Sequence, residues 1–380
     1  MTSDLASVHD ELRTVARDVL GAVRTRTAGS VPAPVEWSVL AELGWLGLEV
    51  PEHCAGAGAS LGEVAVILQE MGRAATSSSY LGSVVLGVGA LNLLGAARER
   101  DELLHGIATG GLRVAVVVPT AQAEVASAET PFRVESSGGR FRLDGQASFV
   151  PDAIDADRFL VLARDQSGDV VMVVLGRATP GLSVSEQPLL DATRRFGQLR
   201  ADAVEGAQSA LLRFEADPAT SVQHLADRGA LAIACDSLGL AEAMMEATAA
   251  YARVRYQFGR PIGSFQAVKH ACADMLVQIE VSRELVGAAI DAMVRNDPDL
   301  GIAVSMAKAH VTGAAVGIVG KAMQLHGGIG YTWESGIHTY LKRALLNRSL
   351  FGSPRAHRKR LARRYLSVGT NEIAGSRALS

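Results

Sequence analysis

At 380 residues with 48% hydrophobic side chains, the chain is too long for one ordinary core and has the apolar material for two or three packed units. Its 37 basic and 40 acidic residues give no general reason to expect nucleic acid or an anionic membrane as partner. The 3 cysteines, Cys54, Cys235 and Cys272, are widely spaced and form no CxxC, so neither a disulfide framework nor a zinc site is indicated and a reducing cytoplasm is the expected home.

The N-terminus carries early acidic residues and no apolar core, unlike a secretory signal. Leu5, Val8, Leu12, Val15, Val19 and Val23 recur at three- and four-residue steps, which predicts a helix over 4–23. Trp37–Leu46 repeats the pattern, Pro51 breaks it, and Leu61–Met71 begins a third helix with Glu63 in its first turn. Residues 74–97 hold no charge, but Thr76 to Ser79 are polar, Gly82, Gly87 and Gly89 interrupt, and no aromatic belt flanks them. A buried helix is predicted there rather than a membrane span. Residues 1–112 thus form an N-terminal α-helical domain.

At Arg113 the texture changes. Val114, Val116 and Val118 start a β-branched run, and the alternating segments around Phe132 and Phe141 flank Ser136-Ser-Gly-Gly139, a hairpin signature. Strands are also predicted over 158–162, 170–175 and 209–214. Residues 113–215 read as a middle β domain of sandwich or barrel type. From Val222 the helical period returns, with helices predicted over 222–256, 264–295, 301–325, 336–348 and 354–366, split by glycine and proline turns. Residues 216–380 therefore form a C-terminal helical domain of four-helix-bundle type, and the fold class is α+β in the order α, β, α.

Two stretches carry candidate sites. In the first, 251–266, a helix ends in arginines and a Gly-Arg-Pro turn leads on; alone, Arg255 and Arg260 are more often solvated helix-end charges than phosphate ligands. In the second, 324–330, Gly327 and Gly328 allow a ligand close to the backbone, while His326 alone is more often a packed histidine than a catalyst.

Together, RxxFGRPIGxFQ and the later QLHGGIGYTWE resemble the acyl-CoA dehydrogenase family of actinobacterial type, over essentially the whole chain. The resemblance implies a non-covalent FAD between the β domain and the bundle, partly bound by a neighbouring subunit. It implies that Arg255 contacts the FAD pyrophosphate of that neighbour, with Phe258, Gln266, Gln324, Gly327 and Gly328 along the cofactor. The β-domain segments match less well: Val118-Pro119-Thr120 and Phe149-Val150-Pro151-Asp152 stand in the corresponding places. Phe149 can pack on a flavin, but Pro151 has no N–H to donate.

The family reaction removes an α-proton from an acyl thioester with a carboxylate while the β-hydrogen leaves as hydride, and a general base is worth about 10²–10⁴-fold. Phe351 and Gly229 occupy the two positions from which family members supply that base, and neither can accept a proton. Asp227 and Glu334 are the candidate substitutes, against ordinary readings as a helix-start acid and a turn residue. The cationic run 355–364 reads as a helix face rather than a nucleic-acid site, and no metal site is expected.

The resemblance thus implies an acyl-CoA dehydrogenase homologue resembling the base-lacking subunit of α2β2 hetero-oligomers. Its expected partners are an acyl-CoA substrate, a Glu-bearing homologous subunit within a dimer-of-dimers tetramer, and electron-transfer flavoprotein as acceptor. The alternatives are a homo-oligomeric flavoenzyme with a displaced base, acting on acyl-CoA or a carrier-bound acyl group, and a flavin-free structural homologue.

Overall fold

The computed structural model describes residues 2–25, 34–118 and 131–364. Helix α1 (Thr2–Thr25) buries Ala16 and Leu20 and packs on α3 (Leu61–Ala74). A capping box starts α3: Ser60 Oγ accepts from Gly62 N at 3.1 Å and Ser60 N donates to Glu63 Oε2 at 2.8 Å. The helix predicted over Trp37–Leu46 divides into α2 (Trp37–Glu42) and a 3-10 turn, because Gly44 at φ +72° takes the left-handed conformation between them. Within the uncharged segment, α4 (Leu81–Leu91) is buried at every residue, and Leu81–Val88 is π-helical. Helix α5 (Arg98–Ala108) packs on the 3-10 turn Glu52–Cys54.

One mixed eight-stranded sheet follows, built from β1 (Val114–Val117), β2 (Phe132–Ser137), β3 (Arg140–Pro151), β4 (Arg158–Arg164), β5 (Val170–Gly176), β6 (Leu182–Gln187), β7 (Phe196–Ala207) and β8 (Leu211–Leu212). Its order is β6-β7-β3-β2-β4-β5-β8, with β1 parallel to β4. The predicted hairpin turns at Gly138 and Gly139, both at positive φ, with Ser137 opposite Arg140. Sequence reading missed β6, a largely polar segment, and β7, rich in glycine and alanine, both of weak strand propensity, and overextended β8, which starts only after a 3-10 turn at Gln208–Ala210. Strands β1 and β4 are buried on both faces. Val114, Val116, Leu160 and Leu162 join the helical core, while Ala115, Val117, Phe159 and Val161 fill the sheet's own core.

Asp217 caps α6 (Pro218–Val254) by accepting from Thr220 N at 2.8 Å, and Pro218 occupies the first helical position. A short antiparallel ribbon, β9 (Tyr256–Gln257) and β10 (Arg260–Pro261), leads to α7 (Gln266–Val294) and α8 (Leu300–Leu325). Then come α9 (Ile337–Ser349) and α10 (354–364). Helix α8 is long and apolar enough to cross a membrane, yet it packs against α6, α7 and α9 as the centre of the bundle. Arg343 of α9 bridges to Asp236 of α6 and donates to Thr76 O at 2.6 Å and Thr193 Oγ1 at 3.0 Å, so one buried charge network fixes α9 against helices and sheet together. Pro119, Thr120 and residues 365–366 lie outside the described residues.

Candidate functional site

The two motif stretches meet at one end of the bundle. Tyr251, near the end of α6, stacks on His326 at the C-terminus of α8 with ring centroids 4.4 Å apart. His326 is thus a packed residue, its Nδ1 2.7 Å from Ala322 O. Around this stack lie Arg255 just after α6, Phe258 in the β9–β10 turn, Gln266 at the first position of α7, and Gln324, Gly327 and Gly328 at the end of α8. All six are exposed, Phe258 to 92%. Arg260 lies over the Phe265 ring at 4.1 Å, which gives it a packing role in the turn.

This end suits a dinucleotide such as FAD. Gly327 is at φ +63°, and a Cβ added at Gly327 or Gly328 would meet no atom within 4 Å, so bare backbone faces open space. No side chain caps the N-terminus of α7, leaving the positive end of its dipole available to an anion. On the sheet, Phe149 is half exposed at φ +56°, and its N–H is taken by Gln187 Oε1. Pro151 contributes no N–H, so the sheet offers a flavin an aromatic face and little hydrogen bonding.

The two base positions lie far from that end and touch each other. Phe351 is 2% exposed at φ +51°, and its ring fills the hollow over Gly229, where an added Cβ would lie 2.5 Å from Phe351 Cε1. Lys308 Nζ holds the turn by donating to Asn347 O at 3.0 Å and Gly352 O at 2.8 Å. His357 Nε2 donates to Phe351 O at 2.8 Å, which leaves Nδ1 to accept from Ser305 Oγ at 3.2 Å. Burial drives the Lys308 ammonium down to about 7 and the His357 imidazole to about 4. Along α6, the path from Gly229 to Arg255 covers roughly 39 Å at about 1.5 Å per residue.

Neither candidate substitute stands in this hollow with a free carboxylate. Asp227 is no helix-start acid, since α6 begins at Pro218. It is locked to Arg360 of α10 by two hydrogen bonds and lines a cavity of about 700 Å³ between the starts of α6 and α8 and the end of α10. Glu334 is exposed on the 3-10 turn Trp333–Ser335.

Sequence reasoning passed over three buried groups. Lys308 and His357 pin the turn bearing Phe351, and the visible signal was a lone lysine in the first half of α8, which holds no other Lys, Arg, Asp or Glu. Asp152, at φ +56°, accepts from Gly82 N at 2.7 Å and ties the end of β3 to α4. Burial pushes its carboxyl up to about 7.

Known proteins are similar to this chain in both sequence and fold. The model of the acyl-CoA dehydrogenase N-terminal domain matches residues 2–111, and that of the C-terminal domain matches residues 219–366. Acyl-CoA dehydrogenase IpdE2 of Mycobacterium tuberculosis is 34% identical over 329 residues, covering 86% of this chain and 85% of that protein. A variant of the Tcur3481-Tcur3483 steroid ACAD superposes with a TM-score of 0.83 at 28% identity, over 96% of this chain and 99% of that one. The ChsE4-ChsE5 complex from Mycobacterium tuberculosis does so with a TM-score of 0.83 at 25% identity, over 94% and 97%. The chain belongs to the acyl-CoA dehydrogenase family, flavoprotein oxidoreductases that oxidise a CH–CH bond of acyl-CoA thioesters.

Proposed function

We propose that this chain is the base-lacking subunit of a hetero-oligomeric acyl-CoA dehydrogenase, completing the FAD site of a homologous subunit that carries the catalytic Glu. The observation that carries this reading is the Phe351 ring seated over Gly229, which leaves an aromatic edge and a hydrogen atom where the family draws its base. Bound FAD supplies the hydride acceptor. Arg255 and the N-terminus of α7 neutralise its diphosphate, Gly327 and Gly328 admit it against the backbone, and Phe258, Gln266 and Gln324 line its path. The separation between Gly229 and Arg255 far exceeds the short ribityl chain that joins a flavin ring to its pyrophosphate. Arg255 therefore serves the flavin of another subunit, and the α-proton leaves to that subunit's Glu.

Two similar structures bear paired names, Tcur3481-Tcur3483 and ChsE4-ChsE5, which supports assembly from two kinds of chain, here as a dimer of dimers. The first is named a steroid ACAD, so a steroid acyl-CoA thioester is the first substrate to assay, with electron-transfer flavoprotein as the acceptor implied by the family. A homo-oligomer with a displaced base is weakened by the Asp227–Arg360 pair and by the exposure of Glu334. The test is co-expression with a Glu-bearing homologue, followed by intact mass and flavin absorbance. The expected product is a yellow complex of two chain types. A fully flavinated homo-oligomer of this chain alone would overturn the proposal, and a colourless complex would leave only the flavin-free reading.

A further inference from the structure

A second set of chemically capable side chains lies in the N-terminal helices, unrelated to the flavin end. The Glu52–Cys54 turn is tightly set: Cys54 N donates to Pro51 O at 2.8 Å, and Ala55 ends the turn at φ +65°. A Cβ at Gly56 would lie 1.9 Å from Val50 O, so the chain there accepts only glycine. This geometry turns Cys54 inward, 3% exposed, and leaves His53 outward. Helix α5 packs on the turn and brings up Asp101 in its first turn and His105 one turn later, an i, i+4 pair on one helix face.

His53, Cys54 and Asp101 each offer one donor atom, and all three atoms lie within 4.8 Å of one another. His53 Nε2 lies 4.0 Å from Asp101 Oδ1. All three residues and His105 line one cavity of about 710 Å³. Asp101 Oδ1 is screened from solvent and accepts no hydrogen bond among the described residues, an acceptor whose desolvation a bound cation would offset. Of the neighbouring cations, Arg98 Nε donates to Glu102 at 2.7 Å, while Arg100 Nε donates to Leu91 O at 3.0 Å and its Nη1 lies 3.9 Å from Asp101 Oδ1, too long for a hydrogen bond, so a bound ion would take over that charge contact. Tetrahedral zinc, with bonds of about 2.0–2.3 Å, places its ligand atoms about 3.3–3.8 Å apart, so a contraction of about 1 Å closes the set. A thiolate, an imidazole and a carboxylate together favour a borderline ion of zinc type over calcium or magnesium.

We propose that His53, Cys54 and Asp101, with His105 closing the fourth position, bind one divalent transition-metal ion of zinc type and clamp the Glu52–Cys54 turn to α5. The inference is independent of the flavin reading. Burial holds Cys54 in its thiol form, so binding breaks the S–H bond, forms a metal–sulfur bond and releases one proton to solvent.

The test titrates the metal-free full chain with Co²⁺, followed by Zn²⁺ competition. The expected result is a near-ultraviolet thiolate-to-cobalt band, with four-coordinate ligand-field bands, saturating at one ion per chain and abolished by Zn²⁺. Cys54→Ser loses the thiolate band, Cys272→Ser keeps it, and Asp101→Asn weakens binding at least about tenfold. Should Cys54→Ser fold poorly, His53→Ala carries the test, because that side chain is exposed: it too weakens Co²⁺ binding at least about tenfold while leaving the circular dichroism of the chain unchanged. No thiolate band at one equivalent, its survival in Cys54→Ser, or undiminished affinity in His53→Ala would overturn the site.

Discussion

Helix α9 has an open turn before it and a closed one after it. Before it, Gly327 and Gly328 face empty space, and Ile329, Tyr331 and Trp333 are exposed. After it, Leu350, Phe351 and Gly352 are buried, and Lys308 and His357 hold the turn by its carbonyls. On the proposed function, the open turn leaves backbone and aromatic surface uncovered for a cofactor, whereas the closed turn fills the place of the family's base with its own side chain. One helix thus joins a region left open to a region packed shut.

The sharpest way to break this contrast is to empty the closed turn. Phe351→Ala removes the ring over Gly229 and should lower unfolding free energy by about 3–5 kcal/mol in urea titrations. A loss under about 1 kcal/mol would mean that the ring is not packed as described.

Acid is the next probe. The His357 imidazole sits at about 4 in the folded chain, below its ordinary 6.5, so the unfolded chain binds the extra proton between those values. Stability from His357 is therefore full above about 6.5 and is lost as pH falls towards 4, on the order of 3 kcal/mol across that window. His357→Gln should flatten this part of the stability–pH curve, and an unchanged slope would clear His357 of the role.

Gly229→Ala follows, because its methyl group must push the Phe351 ring aside. It should cost about 1–3 kcal/mol, read as a shift in the urea midpoint at constant slope. Smallest in stability is the open turn: Gly328→Ala meets no atom and should change stability by less than about 0.5 kcal/mol while reducing flavin retained by the complex. Arg255→Ala should do the same through loss of a charge-assisted phosphate contact. Unchanged flavin occupancy in both variants would remove this end of the bundle from the cofactor site.

How much of this was legible in the sequence differs between the same two regions. The exposed turn at the open end was readable because its signals are local: glycines that break the helix, an arginine at a helix end, and the spacing between the two motifs. The helical and sheet regions were visible for the same reason, through periods of 3.6 and 2. The closed turn was only half readable. Sequence shows that Phe351 and Gly229 are not acids, but that each fills the other's space depends on α6 and the 350–353 turn meeting across more than a hundred residues. The partners of Asp227 were hidden likewise, because Arg360 lies on another helix. The cluster of His53, Cys54 and Asp101 leaves no spacing signature, since α5 supplies one donor from far along the chain.

On the proposed function, this chain binds cofactor for a neighbour and performs no proton abstraction itself. Steady-state turnover of acyl-CoA thioesters with an artificial electron acceptor tests it most directly, on the purified chain and on its complex with a Glu-bearing homologue. No turnover above background is expected for the chain alone, and activity in the complex should disappear when the homologue's Glu is changed to Gln. Robust turnover by the chain alone would contradict it.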